Sequence, residues 1–307
     1  MNTSTTTTTF LLAGDIGGTN SRLRLYAHGE SKHKFEREYR NHVVLTDKKD
    51  DAFERLIIHP FLEKSELINN NNCEVIAVLA CAGPVKDNKV YLTNLDITID
   101  GNSIEKNDGE YVSKVKTVRI INDFLAQGYG CLDLDNSKVD DLVELTDSSL
   151  KKDETAPKVC VGAGTGLGEC FLTPNGKGSY TCFPSEGGHV EFNPRSALES
   201  ELRISLMHEF KSDTRISVER VVSGLGIANV YNFLYSHPNY NKFVDEKAKN
   251  FHDNTFKTAG DNQGGVVAEA SKENKICADA MDIMMRYVSL FQNLVPRFCR
   301  WNHSLSN

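Results

Sequence analysis

None of the eight cysteines in this 307-residue chain stands in a CxxC pair, and no histidine is spaced to complete a zinc site with them. Cys73, Cys81, Cys160 and Cys170 lie in or beside apolar runs, where a thiol behaves as a small hydrophobe. Reduced core thiols of a cytoplasmic protein are therefore expected. No apolar run approaches the roughly 20 residues that span a bilayer. The N-terminal MNTSTTTTT has no basic region, so it predicts neither a secretory signal nor a transit peptide, only a frayed polar tail over 1–9. Positive charge is also short. Thirty-five Lys and Arg against 42 Asp and Glu leave a formal charge of −7, which argues against nucleic acid or an anionic membrane as the main partner. Anionic small molecules remain compatible, because local backbone donors hold them.

What is present reads as α/β, in a chain long enough for two domains. Residues 10–14 and 21–26 predict a strand, a Gly-rich turn and a second strand. Residues 52–67 predict an amphipathic helix interrupted near Pro60. A polar turn at 69–72 precedes 75–82, which reads as a strand buried on both faces. A further buried strand at 118–121 runs into Asn122-Asp123 and a helix from Phe124. A second strand–turn–strand unit spans 159–173, and helices are expected at 197–210, 218–235 and 265–291, the last after a polar stretch over 240–264. No repeat of fixed period is present, but the two hairpins suggest a duplicated plan. The domain boundary is placed between 121 and 122: a small α/β domain over 10–121 and a large one over 122–307.

Two Gly-rich turns carry the first chemical signal. Gly14-Asp15-Ile16-Gly17-Gly18-Thr19-Asn20 and the turn around Gly164-Thr165-Gly166 can point successive N–H groups at one anion, with glycine supplying positive φ. An acidic residue within such a turn repels phosphate unless a divalent cation lies between, so Asp15 suits Mg²⁺, held directly or through water. Neither turn has GxGxxG spacing or ends in the Gly-Lys-Ser/Thr of a Walker loop, which weakens a dehydrogenase and a P-loop ATPase. Asp123 ends a buried strand; it reads either as a helix N-cap or as a base for an attacking hydroxyl. Glu186-Gly187-Gly188-His189 and Glu219 supply acceptors and a switchable donor suited to sugar hydroxyls. Metal binding is the rival reading there, and two further ligands at suitable spacing are missing.

Together with Leu92-Thr93-Asn94, Ile121-Asn122-Asp123-Phe124 and Glu219-Arg220-Val221-Val222-Ser223-Gly224, these segments resemble bacterial-type glucokinase in order and spacing over about residues 10–290. The resemblance implies the two-lobed, actin-like and ribonuclease H-like ATPase fold of the sugar kinases, with lobes that close on sugar and expel water. It implies ATP phosphates against 14–20 and 164–166, with Mg²⁺, and glucose held by Asn94, Asn122, Asp123, Glu186, His189 and Glu219. Asp123 would be the base on the 6-hydroxyl. The stretch Val190-Glu191-Phe192-Asn193-Pro194-Arg195 has no cysteine, unlike the zinc motif of repressor-type sugar kinases, so the zinc-free branch is implied. A homodimer is compatible with the resemblance.

Two departures bear on these expectations. Leu95-Asp96-Ile97 stands where the family often has an aromatic residue, which touches the packing beneath the sugar. Beyond the last helix the family continues with a strand and a Gly-Gly-rich adenosine segment, whereas this chain reads Val295-Pro296-Arg297-Phe298, as though an internal block were missing. The second lobe is then expected to be incomplete, with exposed apolar surface and sheet edges and with poor solubility or lost turnover. The alternatives to a glucokinase are a non-catalytic sugar-binding or regulatory protein and a kinase for another hexose.

Overall fold

The computed structural model describes residues 7–47, 49–68, 72–134, 142–144, 155–294 and 299–301, with 142–144, 290–294 and 299–301 described as backbone alone. The predicted tail over 1–6, the turn over 69–71 and the departure over 295–298 lie outside the described residues. Contacts divide the chain into two compact units, 1–129 and 130–307. The division falls within a helix that starts at Asp123, beyond the strand end where the sequence suggests a boundary.

In the first unit, β1 (Thr8–Ile16), β2 (Asn20–Ala27) and β3 (Phe35–Arg40) form an antiparallel meander. A short helix α1 (Asn41–Val44) follows, then a wide helical turn over Glu54–Ile58 that continues as α2 (His59–Ser65). Next come β4 (Cys73–Cys81), a small meander of β5 (Val85–Lys86), β6 (Lys89–Leu92) and β7 (Ile97–Asp100), and helix α3 (Gly101–Lys106). Strand β8 (Val115–Asn122) leads directly into α4 (Asp123–Leu132). The main sheet has the order β3-β2-β1-β4-β8, with β4 parallel to both its neighbours. Alternation builds it: Ser21, Leu23 and Leu25 of β2 point inward while Asn20 and Arg22 point out, as a period of two requires.

Several expectations are corrected here. Thr8 and Thr9 are not a frayed tail; they pair in parallel with Cys73 and Glu74, and Thr9 Oγ1 donates to Glu74 Oε1 at 2.9 Å. Burial of their backbone partners recruits the tail's last residues into the sheet. Strand β4 is not buried on both faces: it alternates, and Val78 is 40% exposed. The helix over 54–65 is not broken at Pro60. Pro60 sits at the start of α2, where its missing N–H costs least, and the wide turn before it takes up the misfit. Phe53, Ile57, Phe61 and Leu62 fill the core beneath it. Cys73, Cys81 and Cys170 are buried as expected, whereas Cys160 is only partly so.

The second unit contains β10 (Lys158–Ala163), β11 (Leu167–Pro174) and β12 (Tyr180–Ser185) in one antiparallel sheet, preceded by β9 (Leu142–Glu144), which pairs with β13 (Cys299–Trp301). Helices α5 (Ala197–Glu209), α6 (Gly224–Ser236), α7 (Glu246–Phe251), α8 (Gln263–Ala270) and α9 (Lys275–Leu294) make the remainder. The helix expected over 218–235 begins later. Val218–Arg220 forms a single tight turn, and Ser223 caps α6 by accepting from Gly226 N at 2.9 Å. The helix expected over 265–291 is two helices, separated where the Asn274 side chain accepts from Ile276 N and Cys277 N at 3.0 and 3.3 Å. The polar stretch over 240–264 is largely helical: Asp245 caps α7, and Phe256 is driven inward against Tyr231. On the sheet, Phe171 and Phe183 stack with centroids 5.2 Å apart and stay 43% and 40% exposed.

The first unit also buries a carboxyl group. Glu54 is 1% exposed and neither of its carboxylate oxygens has a partner. Burial, with lesser contributions from Asp51 and Asp100, pushes its pKa up to about 7. Its folded-state value lies above its unfolded value, so the folded chain holds this proton more tightly. The associated stability is complete below about pH 4.3 and is lost as pH rises through about 7. Glu54→Gln should therefore stabilise the first unit by about 3 kcal/mol at pH 8 and flatten this part of the profile. Urea unfolding at pH 5 and pH 8 measures it, and equal effects at both values would contradict the burial.

Candidate functional site

In the first unit the site starts from strand register. Ile16 pairs with Cys81 and Cys81 with Asn122, so the carboxyl ends of β1, β4 and β8 lie in one row. Ligands of open α/β sheets bind beyond such ends. Asp15 lies one residue before the row and Asp123 one residue after it. Between them the buried Cys81 thiol is pushed up to about 12, chiefly by burial and then by the charges of Asp123 and Asp15.

Of the two readings of Asp123, the capping one falls largely to its neighbour Asn122. Asn122 Oδ1 accepts from Phe124 N and Leu125 N at 3.0 and 3.2 Å, and its Nδ2 donates to Gly83 O at 3.2 Å. Asn122 thus serves as the cap of α4, and Asp123 takes only a shared bond from Phe124 N at 2.8 Å. Burial, and then the charge of Asp15, raise the pKa of Asp123 above the usual carboxylate value, while the Phe124 N–H opposes the shift. That makes it a better proton acceptor than a free aspartate.

The β1–β2 turn is closed by Gly17 N donating to Asn20 O at 2.8 Å. It is pinned by the fully buried Asn41, whose Nδ2 donates to Gly17 O at 2.7 Å and whose N donates to Thr19 O at 2.8 Å. Sequence reasoning missed Asn41; a lone asparagine after a charged strand carries no signal. Positive φ is not what the turn glycines provide, because neither Gly17 nor Gly18 adopts it. Gly18 instead allows close approach: a Cβ there would lie 2.8 Å from Asn94 Nδ2. Gly14 and Ile16 lie within β1, with Gly14 packed between Leu23 and Leu79. Leu95, at the departure from the aromatic pattern, packs partly buried on the core of this unit.

In the second unit the predicted residues converge on the β10–β11 turn. Gly164 N donates to Gly166 O at 2.9 Å, and Gly164 O accepts from Gly224 N at 2.7 Å. Glu219 Oε2 accepts from Leu167 N at 2.9 Å and lies where a Cβ on Gly166 would clash with it. His189 Nδ1 lies 3.8 Å from Glu219 Oε1, and its Nε2 lies 3.6 Å from Glu186 Oε2. Gly188 brings this bend against the chain, since a Cβ there would strike Leu167 O. The segment after the bend is anchored by Phe192 against Tyr287 at 4.8 Å and by Tyr287 Oη donating to Asn193 O at 2.7 Å. Glu169, also missed, faces the same bend: Ser185 Oγ donates to its Oε2 at 3.3 Å, its Oε1 is buried without a partner, and burial raises its pKa. Its alternation within β11 marked it only as a strand residue.

Among the described residues no group of three or more His, Cys, Asp or Glu could hold a metal ion by itself. Asp15 is an exposed carboxylate beside the strand-end row. No helix among the described residues is long and apolar enough to cross a membrane.

Comparison with known proteins follows the same lines. The glucokinase family profile matches residues 12–295. Glucokinase of Synechocystis sp. is 40% identical over 73% of this chain and 60% of its own length. Glucokinase of Nostoc sp. is 37% identical over 74% and 60%. The chain thus spans about 60% of the length of the curated relatives it matches. Among solved structures, glucokinase from an Antarctic psychrotroph superposes with a TM-score of 0.61 at 23% identity, covering 90% of this chain and 74% of that one. Glucokinase of Balamuthia mandrillaris in complex with glucose gives 0.66 at 18%, covering 94% and 76%. The actin-like sugar-kinase fold expected from the sequence is borne out.

The electrostatic pairing at the strand ends can be read directly. Asp15→Asn should lower the midpoint of the Asp123 carboxyl titration, followed by carbon-13 NMR. An unmoved midpoint would show that the two carboxylates do not sense each other.

Proposed function

Because the chain belongs to the glucokinase family, we propose that it transfers the terminal phosphoryl group of ATP to the 6-hydroxyl of glucose, giving glucose 6-phosphate and ADP. The observation that carries this reading is Asp123, a carboxylate of raised pKa held at a strand end by an asparagine that takes over the capping duty. Phosphoryl transfer asks a protein mainly for positioning, charge neutralisation and one such base.

In this reading Asp123 accepts the proton of the 6-hydroxyl as its oxygen bonds to phosphorus and the bond to the ADP oxygen breaks. Asn122 fixes the backbone on which Asp123 stands. Asn94, Glu186, His189 and Glu219 hydrogen-bond the remaining hydroxyls, each of which both donates and accepts. Backbone N–H groups of the turns at 17–20 and 164–166 receive the phosphate oxygens. Asp15 would hold Mg²⁺ through water, and the ion would supply neutralisation of phosphate charge. Glucose recognition has support in the glucose-bound relative; ATP and Mg²⁺ rest on the kinase family.

A sugar-binding protein without turnover is the second reading, which the Glu186, His189 and Glu219 cluster of the second unit would serve without a nucleotide. A coupled assay for glucose 6-phosphate, run beside calorimetry with glucose, separates the two. The proposal expects turnover that falls by about 10²–10⁴ in Asp123→Ala with glucose heat retained. Glucose heat without turnover in the unaltered chain would support the second reading, and an unimpaired Asp123→Ala would remove Asp123 from its role.

A further inference from the structure

We propose that a surface groove of the second unit, beside His189, is a binding site for a phosphate dianion. The groove has a volume of about 350 Å³, and Arg215, Arg220, Ser212, Thr214, Ser217 and His189 line it. Its chemistry is set by two guanidiniums, Arg215 and Arg220. Neither Arg215 nor Arg220 makes an ion pair among the described residues, whereas nearby Arg203 is paired with Glu191 at 2.9 Å.

Each guanidinium is held in place by something other than an acid. Arg220 lies with its carbon 4.2 Å from the centre of the Phe210 ring, which supports one face and leaves the N–H edge free to donate. Arg215 gives one N–H to the backbone oxygen of His189, and the fork has others to offer. Ser212 Oγ donates to Arg215 O at 2.7 Å, tying the loop that carries Arg215. Of the acids nearest in sequence, Asp213 is exposed and makes no ion pair with either guanidinium among the described residues, while Glu219 accepts from Leu167 N and lies 3.8 Å from His189 Nδ1. Glu186 is engaged with the Nε2 side of His189 at 3.6 Å.

Two guanidinium forks with hydroxyls beside them offer more donors than a carboxylate's two oxygens can use. A phosphate group, with three terminal oxygens, satisfies them. The chain's charge of −7 makes a phosphate on nucleic acid a poor occupant, so the group belongs to a small molecule, either inorganic phosphate or a sugar monophosphate. The bond from Arg215 to His189 O gives occupancy a consequence. A phosphate on the remaining N–H groups of Arg215 holds the guanidinium that steadies the Glu186–His189 bend, and so alters sugar affinity; this last link alone rests on the glucokinase reading.

Calorimetric titration of the full chain with inorganic phosphate and, separately, with glucose 6-phosphate tests the site. Binding that weakens with salt, and at least about tenfold in Arg215→Ala and in Arg220→Gln, supports it. Tighter binding of the ester that is lost in Arg220→Gln assigns the phosphate to a sugar monophosphate, and equal binding assigns it to the free ion. Arg215→Lys, which keeps charge without the fork, should retain part of the affinity and separates a lost contact from a lost fold. No heat from either probe at millimolar concentration, or variants that bind as the unaltered chain does, would overturn the site. Glucose heat, read in a separate cell, tests the sugar reading independently and leaves the phosphate result intact either way.

Discussion

The parallel register of β1, β4 and β8 is the constraint on which the first half of the site depends. With Ile16, Cys81 and Asn122 at one level, two carboxylates come to lie on either side of a buried thiol, and their mutual repulsion adds to burial in raising Asp123. A slip of one residue in any of these pairings would turn the inward side chains of that strand outward. Leu12, Ile16, Val75, Ala77, Leu79 and Val118, all nearly or fully buried, make such a slip costly. The packing that fixes the fold therefore also fixes the spacing of the charges.

Glycine does the corresponding service at the turns by its lack of a side chain. Asn94 rests against Gly18, Glu219 against Gly166, and the Glu186–His189 bend against the chain at Gly188. At Gly18 and Gly166 a Cβ would displace a polar side chain that the proposed reaction uses, and at Gly188 it would strike Leu167 O and push the bend away. The pattern is shared by hairpins of both units, each of which also receives a distant hydrogen bond: Asn41 onto Gly17, and Gly224 onto Gly164.

How much of this was legible follows from where the signal lay. The two hairpins, the strand that ends at Asn122 and the Glu186–His189 bend were readable because glycine and apolar runs punctuate them. Strand β3, written Phe-Glu-Arg-Glu-Tyr-Arg, was not, because it is an edge strand whose exposed charges conceal its alternation. The 240–264 stretch reads only as polar because its helices bury few residues, Ala248 and Phe256 among them. Breaks before α6 and between α8 and α9 turned on single capping side chains, Ser223 and Asn274, which apolar periodicity does not register. Asn41 and Glu169 act through burial and hydrogen bonding alone, and neither belongs to a pattern that a sequence can display.

The role given to Asp123 joins the strand-end geometry to the chemistry. A crystal structure of this chain with glucose and a non-hydrolysable ATP analogue measures it most directly. The account predicts the glucose 6-hydroxyl within hydrogen-bond reach of the Asp123 carboxylate, about 2.6–3.2 Å, with the terminal phosphate on its other side. Sugar bound with that hydroxyl pointing away from Asp123 would contradict it.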